Sequence, residues 1–562
     1  MNKNYPIYKT TFIDDMRSLV EEAAQNFPDS TAISYKENYW DKDVRKVSFT
    51  QWRNDVRNLG TALISKGLRE ENIAIVGENS YGWCCSFFAV MAIGSVTVPV
   101  DKELPAEDID GIISTTSCKA VIYGKTAEAK INEIREKGGL KTVETFIPVT
   151  SLVSLQEEGA KLYEAGDNSY YDYKIDVNKL ASIVFTSGTT GKGKGVMLSQ
   201  ANIGLDMTLG MYNFDITRKT LHVLPPHHTF GSTVNYVGHL SQGCEVYISS
   251  GIKHVSDEIR EQQPTHLILV PAFLEVMNRK IWATARKGGK EGLLKAMMKV
   301  SDCLRKVGID IRRKLFSSVL SAFGGKLELI ICGGAKLDEE IISTFDSLGI
   351  TILNGYGITE CSPLISANRN RYRKKGSVGT PILACRVKID NPDENGEGEI
   401  CVKCPNVMLG SYQNPEATAE VFDKDGFFHT GDYGKLDEEG WIYITGRKKN
   451  LIILSNGKNV YPEEIKADLQ KVEGVVEVVV YAGESRVQKD KITIVAEIFP
   501  DADLLKDKGI TDLQEYFETQ VKSLNAKMPP YKAVKRVKLR DSEFQKNTSR
   551  KITRFNIDKT ID

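Results

Sequence analysis

The sequence predicts an α/β protein. A large N-terminal domain of parallel α/β layers carries a β-rich subdomain, and a small α+β C-terminal domain follows. Three observations predict this. Short apolar runs alternate with helix-length segments through the first half and beyond. Near residue 376 the texture changes to short strands broken by Gly, Asp and Pro. The 562 residues also exceed one hydrophobic core, since single cores stop growing near ~250–300 residues. The expected domains are 1–448, with the β-rich part at about 376–446, and 449–562.

The elements follow in order. ENIAIVGEN (71–79) is a short apolar run ended by turn formers, hence a strand. Tyr81 to Ile93 has helical length, SVTVPV reads as a strand, and CKAVIYG (118–124) as another before a charged helix near 126–138. Further strands are expected at ASIVFTS (181–187), LHVLP (221–225), HLILVP (266–271), LELIICGG (327–334) and ITILNGYG (350–357). Strands alternating with helices indicate a parallel sheet. Residues 281–321 are long, basic and helix-like. GSVGTPI, CRVKID, EGEICVK and GWIYITG then supply the β-rich part. Beyond Gly446 come LIILS, a helix from Pro462, VVEVVVYA, KITIVAEIF, a helix near 511–526 and a basic tail. Pro462 followed by Glu463 and Glu464 suits a helix start, with acids near the positive dipole end.

Composition narrows the class. Apolar residues make up 41% and charged residues 26%, ordinary soluble values. With 74 basic and 74 acidic residues, net charge offers no reason to expect nucleic acid. The opening MNKNYPIYKTTFIDDM lacks the order of a signal peptide. The longest apolar run, Cys84 to Val100, is interrupted by Gly94, Ser95 and Pro99 and falls short of the ~20 residues of a membrane span. It reads as a buried helix running into a buried strand. Ten cysteines in such a chain read as reduced cytosolic thiols, and the single C-x-x-C, Cys401 and Cys404, as neither metal site nor redox pair. The expected location is cytoplasmic, with a peripheral membrane contact compatible with it.

The strongest motif is TSGTTGKGKG, Thr186 to Gly195. Four glycines and four hydroxyl side chains in ten residues make a loop that phosphate oxygens can approach closely. Gly188 to Lys194 also fits G-x-x-x-x-G-K. A Walker loop needs Ser or Thr next, and Gly195 stands there, which disfavours a phosphotransferase of that kind.

This loop resembles the phosphate loop of the adenylate-forming superfamily, which includes acyl-CoA synthetases, peptide-synthetase adenylation domains and firefly luciferase. Gly193 stands where the family usually has Pro. More family motifs follow in the right order, so the resemblance covers nearly the whole chain. It implies that Thr186, Ser187, Gly188, Thr189 and Gly191 bind the nucleotide, with Thr190 and Lys194 catalytic. LPPHHTFG (224–231) resembles L-P-x-x-H-x-x-G and places His228 beside the acyl pocket. ICGGAKL (331–337) resembles the adenine-side loop, with Gly334 and Ala335 turning around the purine. NGYGITECS (354–362) resembles Y-G-x-T-E. There Tyr356 and Gly357 would lie at adenine, Thr359 would bond a phosphate, and Glu360 would hold Mg²⁺.

The stretch 427–465 is the most specific. Asp432 matches the carboxylate that accepts the ribose hydroxyls, and Arg447 its ribose- and phosphate-contacting partner. Lys449 falls at the hinge position, which makes the C-terminal domain mobile. Ser455, Asn456 and Gly457 resemble the loop lining the coenzyme A tunnel. KNTSRKITR (546–554) resembles K-T-x-x-G-K-[IV]-x-R, with Lys551 as the catalytic lysine and Arg550 replacing the usual Gly.

The resemblance therefore implies an ATP-, Mg²⁺- and coenzyme A-dependent ligase. It would form an acyl-adenylate, then an acyl-CoA, with release of AMP and pyrophosphate. VPAFLEVMNRKI (270–281) and the helix-rich stretch behind it resemble long-chain acyl-CoA synthetases, so a medium- or long-chain fatty acid is expected. Two other readings stay open. One is loading of a carrier protein in place of coenzyme A. The other is a non-catalytic acyl- or nucleotide-binding regulator on the same scaffold.

Overall fold

A computed structural model describes residues 8–186, 193–216, 218–454, 459–484, 492–546, 552–554 and 557–561. The chain forms two compact units. One comprises Met1–Arg386 and Val402–Phe428, the other Val387–Cys401 and His429–Asp562.

The first unit holds two large sheets. In the seven-stranded sheet the order is Gly410–Ser411, Lys194–Ser199, Leu180–Thr186, Val96–Val100, Asn72–Val76, Ala120–Tyr123, Thr145–Pro148. The strands from Leu180–Thr186 onward run parallel, and the first two pair antiparallel. These inner strands are continuous Val/Ile/Ala runs because helices cover both faces of a parallel sheet. The Cys84–Val100 run is the expected buried helix and strand. Ser80 caps the helix Tyr81–Ala92, ten of whose twelve residues are buried, and Gly94 turns the chain at φ +80° into Val96–Val100. No described helix is long and apolar enough to cross a membrane.

The nine-stranded sheet runs in the order Thr380–Pro381, Leu364–Ala367, Thr351–Gly357, Leu329–Cys332, His266–Leu269, Lys219–His222, Glu245–Ile248, Thr31–Tyr35, Arg45–Ser48. The six strands from Thr351–Gly357 to Thr31–Tyr35 are parallel. Two expected strands stop early. LHVLP ends at His222, before two prolines, and HLILVP ends at Leu269 because Pro271 opens the helix Pro271–Lys287. That helix, Glu291–Lys306 and two short helices account for the basic stretch.

The second unit begins with the sheet Arg386–Asp390, Gly398–Lys403, Phe428–Leu436, Ile442–Arg447. It continues into the sheet Val475–Gly483, Thr493–Pro500, Arg536–Leu539. The helices Pro462–Leu469 and Leu513–Asn525 supply Ile465, Leu469, Phe517 and Val521 to a core with Val478, Val480, Ile494 and Ile498. Pro462 occupies the first turn with Glu463 and Glu464, as its sequence predicts.

The reading of ten reduced thiols is corrected at one pair. Cys385 and Cys404 are joined by a disulfide, with Cα atoms 4.3 Å apart. They bracket the adjacent strands Arg386–Asp390 and Gly398–Lys403, so the strand pairing brings them together. The C-x-x-C residues are not partners. Cys401 is a buried thiol outside the disulfide, its sulfur 3.4 Å from Nδ1 of His429.

Candidate active site

On the first unit, the motif loops gather where parallel strands end. The strands Lys219–His222, His266–Leu269, Leu329–Cys332 and Thr351–Gly357 are consecutive neighbours running the same way. Their carboxyl ends release LPPHHTFG, the helix opened by Pro271, GGA and GYGITE. Ligands of open α/β sheets bind at such edges.

The two strands that flank the glycine-rich loop belong to the seven-stranded sheet of this unit. Leu180–Thr186 pairs antiparallel with Lys194–Ser199, Thr186 opposite Lys194. The Thr186 hydroxyl donates to the Lys194 carbonyl at 3.4 Å. A Walker loop leads from a strand into a helix; here it returns as a second strand. The next helix starts only at Gln200, where Ser199 and Asn202 form a capping box. Gly195 is also tightly placed, since a Cβ would lie 3.1 Å from both Ile183 and Tyr412. Gly193 is tight as well, its Cβ position 3.1 Å from the Thr186 carbonyl. Ser187, Gly188, Thr189, Thr190 and Gly191 lie outside the described residues.

Two glycines of the other motifs are packing requirements. A Cβ on Gly231 would lie 2.1 Å from the Pro225 carbonyl oxygen, and one on Gly357 2.2 Å from that of Pro363. Gly334 adopts φ +85°, left-handed backbone that suits glycine, and it is exposed with Ala335. His228 is half-buried; its carbonyl accepts the Gly231 and Ser232 amides at 2.8 and 2.9 Å and so starts the following helix. His227, the neighbouring histidine, is the buried one. Burial, reinforced by Lys102, holds its imidazole down to about 3, while its Nε2 lies 3.5 Å from an Asp101 oxygen.

Tyr356 is buried, and Thr359 and Glu360 sit half-buried on a single helical turn, Thr359–Cys361. Two residues the sequence reading passed over hold this turn. Asn406 donates at 2.7 Å to the carbonyls of Cys361 and Leu364 and to Oδ1 of Asp206, which also accepts the Leu364 amide at 2.9 Å. Asp206 is completely buried, and burial pushes its carboxyl well above the ordinary value. Its signal was an acid in the middle of an otherwise apolar stretch, NIGLDMTLGM.

On the second unit, Asp432 and Arg447 stand directly opposite each other on the antiparallel strands Phe428–Leu436 and Ile442–Arg447. Arg447 Nε is 2.9 Å from Oδ1 of the buried Asp432. Beside them lies a cluster that sequence reasoning missed. Glu399 accepts from Gly431 N at 3.1 Å, lies 3.0 Å from His429 Nδ1, and pairs with Lys448 at 2.7 Å. Burial raises the Glu399 carboxyl, but Lys448 and His429 outweigh it and hold the group below its ordinary value. Among the described residues, Asp390, Glu399 and His429 are the group whose ligand atoms lie within 4.8 Å of one another. The Lys448 ammonium already supplies the cation there. Lys449 is exposed in the turn Lys448–Asn450.

Lys551 and Ser455, Asn456 and Gly457 lie outside the described residues. The flanks of Lys551 are fixed, however. Lys546 and Ile552 form an antiparallel bridge, Thr553 N donates to Gln545 O at 2.8 Å, and Arg554 reaches Glu463 at 3.3 Å.

A family model described as AMP-binding enzyme matches residues 20–412. The chain belongs to the AMP-binding enzyme family. Among this enzyme's curated relatives is the long-chain-fatty-acid–CoA ligase 5 of Mus musculus, 30% identical over 495 residues, or 82% of this chain and 71% of that protein. A chloroplastic long-chain-fatty-acid–[acyl-carrier-protein] ligase of Arabidopsis thaliana is 27% identical over 78% of this chain and 71% of its own. The AMP-binding enzyme also shares its fold with a Mycobacterium tuberculosis fatty acyl CoA synthetase. That match has a TM-score of 0.66 at 23% identity and covers 96% of each chain.

Proposed function

We propose that this AMP-binding enzyme joins a medium- or long-chain fatty acid to coenzyme A through an acyl-adenylate, releasing AMP and pyrophosphate. One observation carries the reading. Asp432 and Arg447 stand paired in register, in a chain 30% identical over 82% of its length to a protein named as a long-chain-fatty-acid–CoA ligase.

A carboxylic acid of pKa ~4–5 is already ionised at neutral pH, so the first step needs no general base. The obstacle is bringing an anion to a polyanion. Lys194, Thr190, the amides of the glycine-rich loop and Lys551 would hold the phosphates as charge shifts to the leaving pyrophosphate. Tyr356, Gly357, Gly334 and Ala335 would border adenine, and Asp432 would accept the ribose hydroxyls with Arg447 beside it. Glu360 fits Mg²⁺, because a half-buried carboxylate beside Thr359 is a hard oxygen ligand and the phosphates can complete the shell. When bound, the ion supplies charge neutralisation along the phosphates. His228 would border the acyl group. Attack by the thiol then needs Lys551 withdrawn and Ser455, Asn456 and Gly457 brought in, with rotation about Lys449.

The test is release of AMP and pyrophosphate with ATP, Mg²⁺ and coenzyme A across saturated acids of graded length, with acetate and benzoate included. A maximum among the longer chains that requires coenzyme A supports the reading; ADP as the product overturns it. The Arabidopsis relative favours one alternative acceptor, a carrier protein. Turnover with carrier protein but not with free coenzyme A would establish that alternative.

For location we propose the cytoplasm with a peripheral membrane face. Leu293 and Val300 are 59% and 57% exposed on one face of the helix Glu291–Lys306, whose Lys295 and Lys299 are exposed on another. A helix with an exposed apolar face and exposed lysines suits an anionic lipid surface.

A further inference from the structure

One interior layer of the first unit is polar in a way the proposed chemistry does not use. Thr220 and His222 alternate along the strand Lys219–His222 and so share a face; His266 stands opposite Thr220 on the next strand. The segment that starts at His228 covers this face, as the π-type helix Phe230–Gly238 and the turn His239–Ser241. The His222 ring meets the Tyr236 ring edge-on at 4.5 Å, and the His239 ring stacks on that of His266 at 4.9 Å. Between helix and sheet lie Thr220, His222, His239 and His266, and Asn235 stands four residues before His239 on the covering segment; all five are completely buried.

Many of their polar atoms have no hydrogen-bond partner. These are Thr220 Oγ1, both amide atoms of Asn235, and Nε2 of His239 and of His266. Burying a polar group without a partner is costly, so such a concentration implies an occupant.

The surroundings define its chemistry. His239 Nδ1 lies 2.8 Å from the Val234 carbonyl, so Nδ1 carries the proton and Nε2 accepts. His266 Nδ1 lies 3.2 Å from Thr265 Oγ1, whose own hydrogen goes to the Lys219 carbonyl. His266 Nε2 is therefore an acceptor too. Burial keeps all three imidazoles neutral: His239 is lowered to about 4, His222, with help from His239, to about 3, and His266 well below its ordinary value. A carboxylate would face two acceptors and no cation. A neutral O–H group can donate to the histidines and exchange hydrogen bonds with Asn235.

We propose that this layer is a subsite for a hydroxyl group on the acyl chain, so that the enzyme prefers hydroxylated acids over plain ones of the same length. This rests on the reading that the acyl group lies beside His228. Water offers the same O–H chemistry, and the experiment separates the two sources.

The experiment is equilibrium binding of a saturated acid and its mono-hydroxylated counterparts, the hydroxyl moved along the chain, to the full-length protein. A site built to bond a hydroxyl discriminates strongly against the analogue lacking it. For one hydroxyl position the affinity is expected to exceed that of the plain acid by roughly tenfold or more. Asn235→Leu should abolish that preference. Thr220→Val, close to isosteric, should reduce it and serves if the first variant fails to fold. Equal or weaker binding at every position, or a preference untouched by both variants, assigns the layer to water and overturns the proposal. Failure of the ligase reading shows separately, as acids that bind but yield no AMP.

Discussion

At the scale of single residues, the clearest consequence belongs to Asp206. Its carboxyl holds a proton more tightly folded than unfolded, because burial raises it. Stability therefore falls as pH rises from the unfolded value, roughly 3.9, through the folded one. Asp206→Asn keeps an acceptor for Leu364 N and removes the titration. Urea melts across that range are expected to give a flatter pH dependence for the variant; parallel curves would contradict the assignment. Gly231→Ala is expected to cost about 1–3 kcal/mol in the same melts, because its Cβ would overlap the Pro225 carbonyl. Gly231 was legible in the sequence as a motif letter, and the structure shows why no side chain fits. Asp206 was not legible, because Leu364 and Asn406 lie 158 and 200 residues away and only the fold brings them near.

At the scale of elements, continuous apolar runs such as NIAIV and AVIY announced the parallel strands plainly. Glu245–Ile248 and Arg45–Ser48 escaped, being four residues long with charged members, and Thr31–Tyr35 because Thr31 and Ser34 leave only Ala32 and Ile33 as an aliphatic run. The phosphate loop was legible by composition, whereas its hairpin setting depends on pairing with Lys194–Ser199. The helix Glu291–Lys306 yields a prediction at this scale. Cosedimentation with phosphatidylglycerol-containing vesicles should exceed that with phosphatidylcholine alone. Lys295→Glu with Lys299→Glu should abolish the difference and leave the melting temperature within a few degrees, since both side chains are exposed. Retained anionic preference in the double variant would remove this helix from the contact.

At the scale of the whole molecule, the thiols can be counted. Eight free cysteines and one disulfide predict that denatured, unreduced protein reacts at eight thiols, and native protein rapidly at the exposed Cys303 alone. Ten reactive thiols without reductant would contradict the Cys385–Cys404 bond. The proposed rotation has its own test. Lys449→Pro fixes φ at the pivot and should depress thioester formation at least tenfold more than acid-dependent pyrophosphate exchange. Equal losses would argue against a pivot there.

The route of the chain between units has a practical reach. It leaves the first unit after Arg386, returns at Val402 and leaves again after Phe428. The strand Gly398–Lys403 is thus borrowed from the middle of the sequence to sit against Phe428–Leu436. A fragment starting at His429 would display that strand's bare backbone edge, a template for aggregation. Anyone grafting this unit onto a relative must transplant two stretches of sequence together, and a single crossover point would deliver an incomplete sheet.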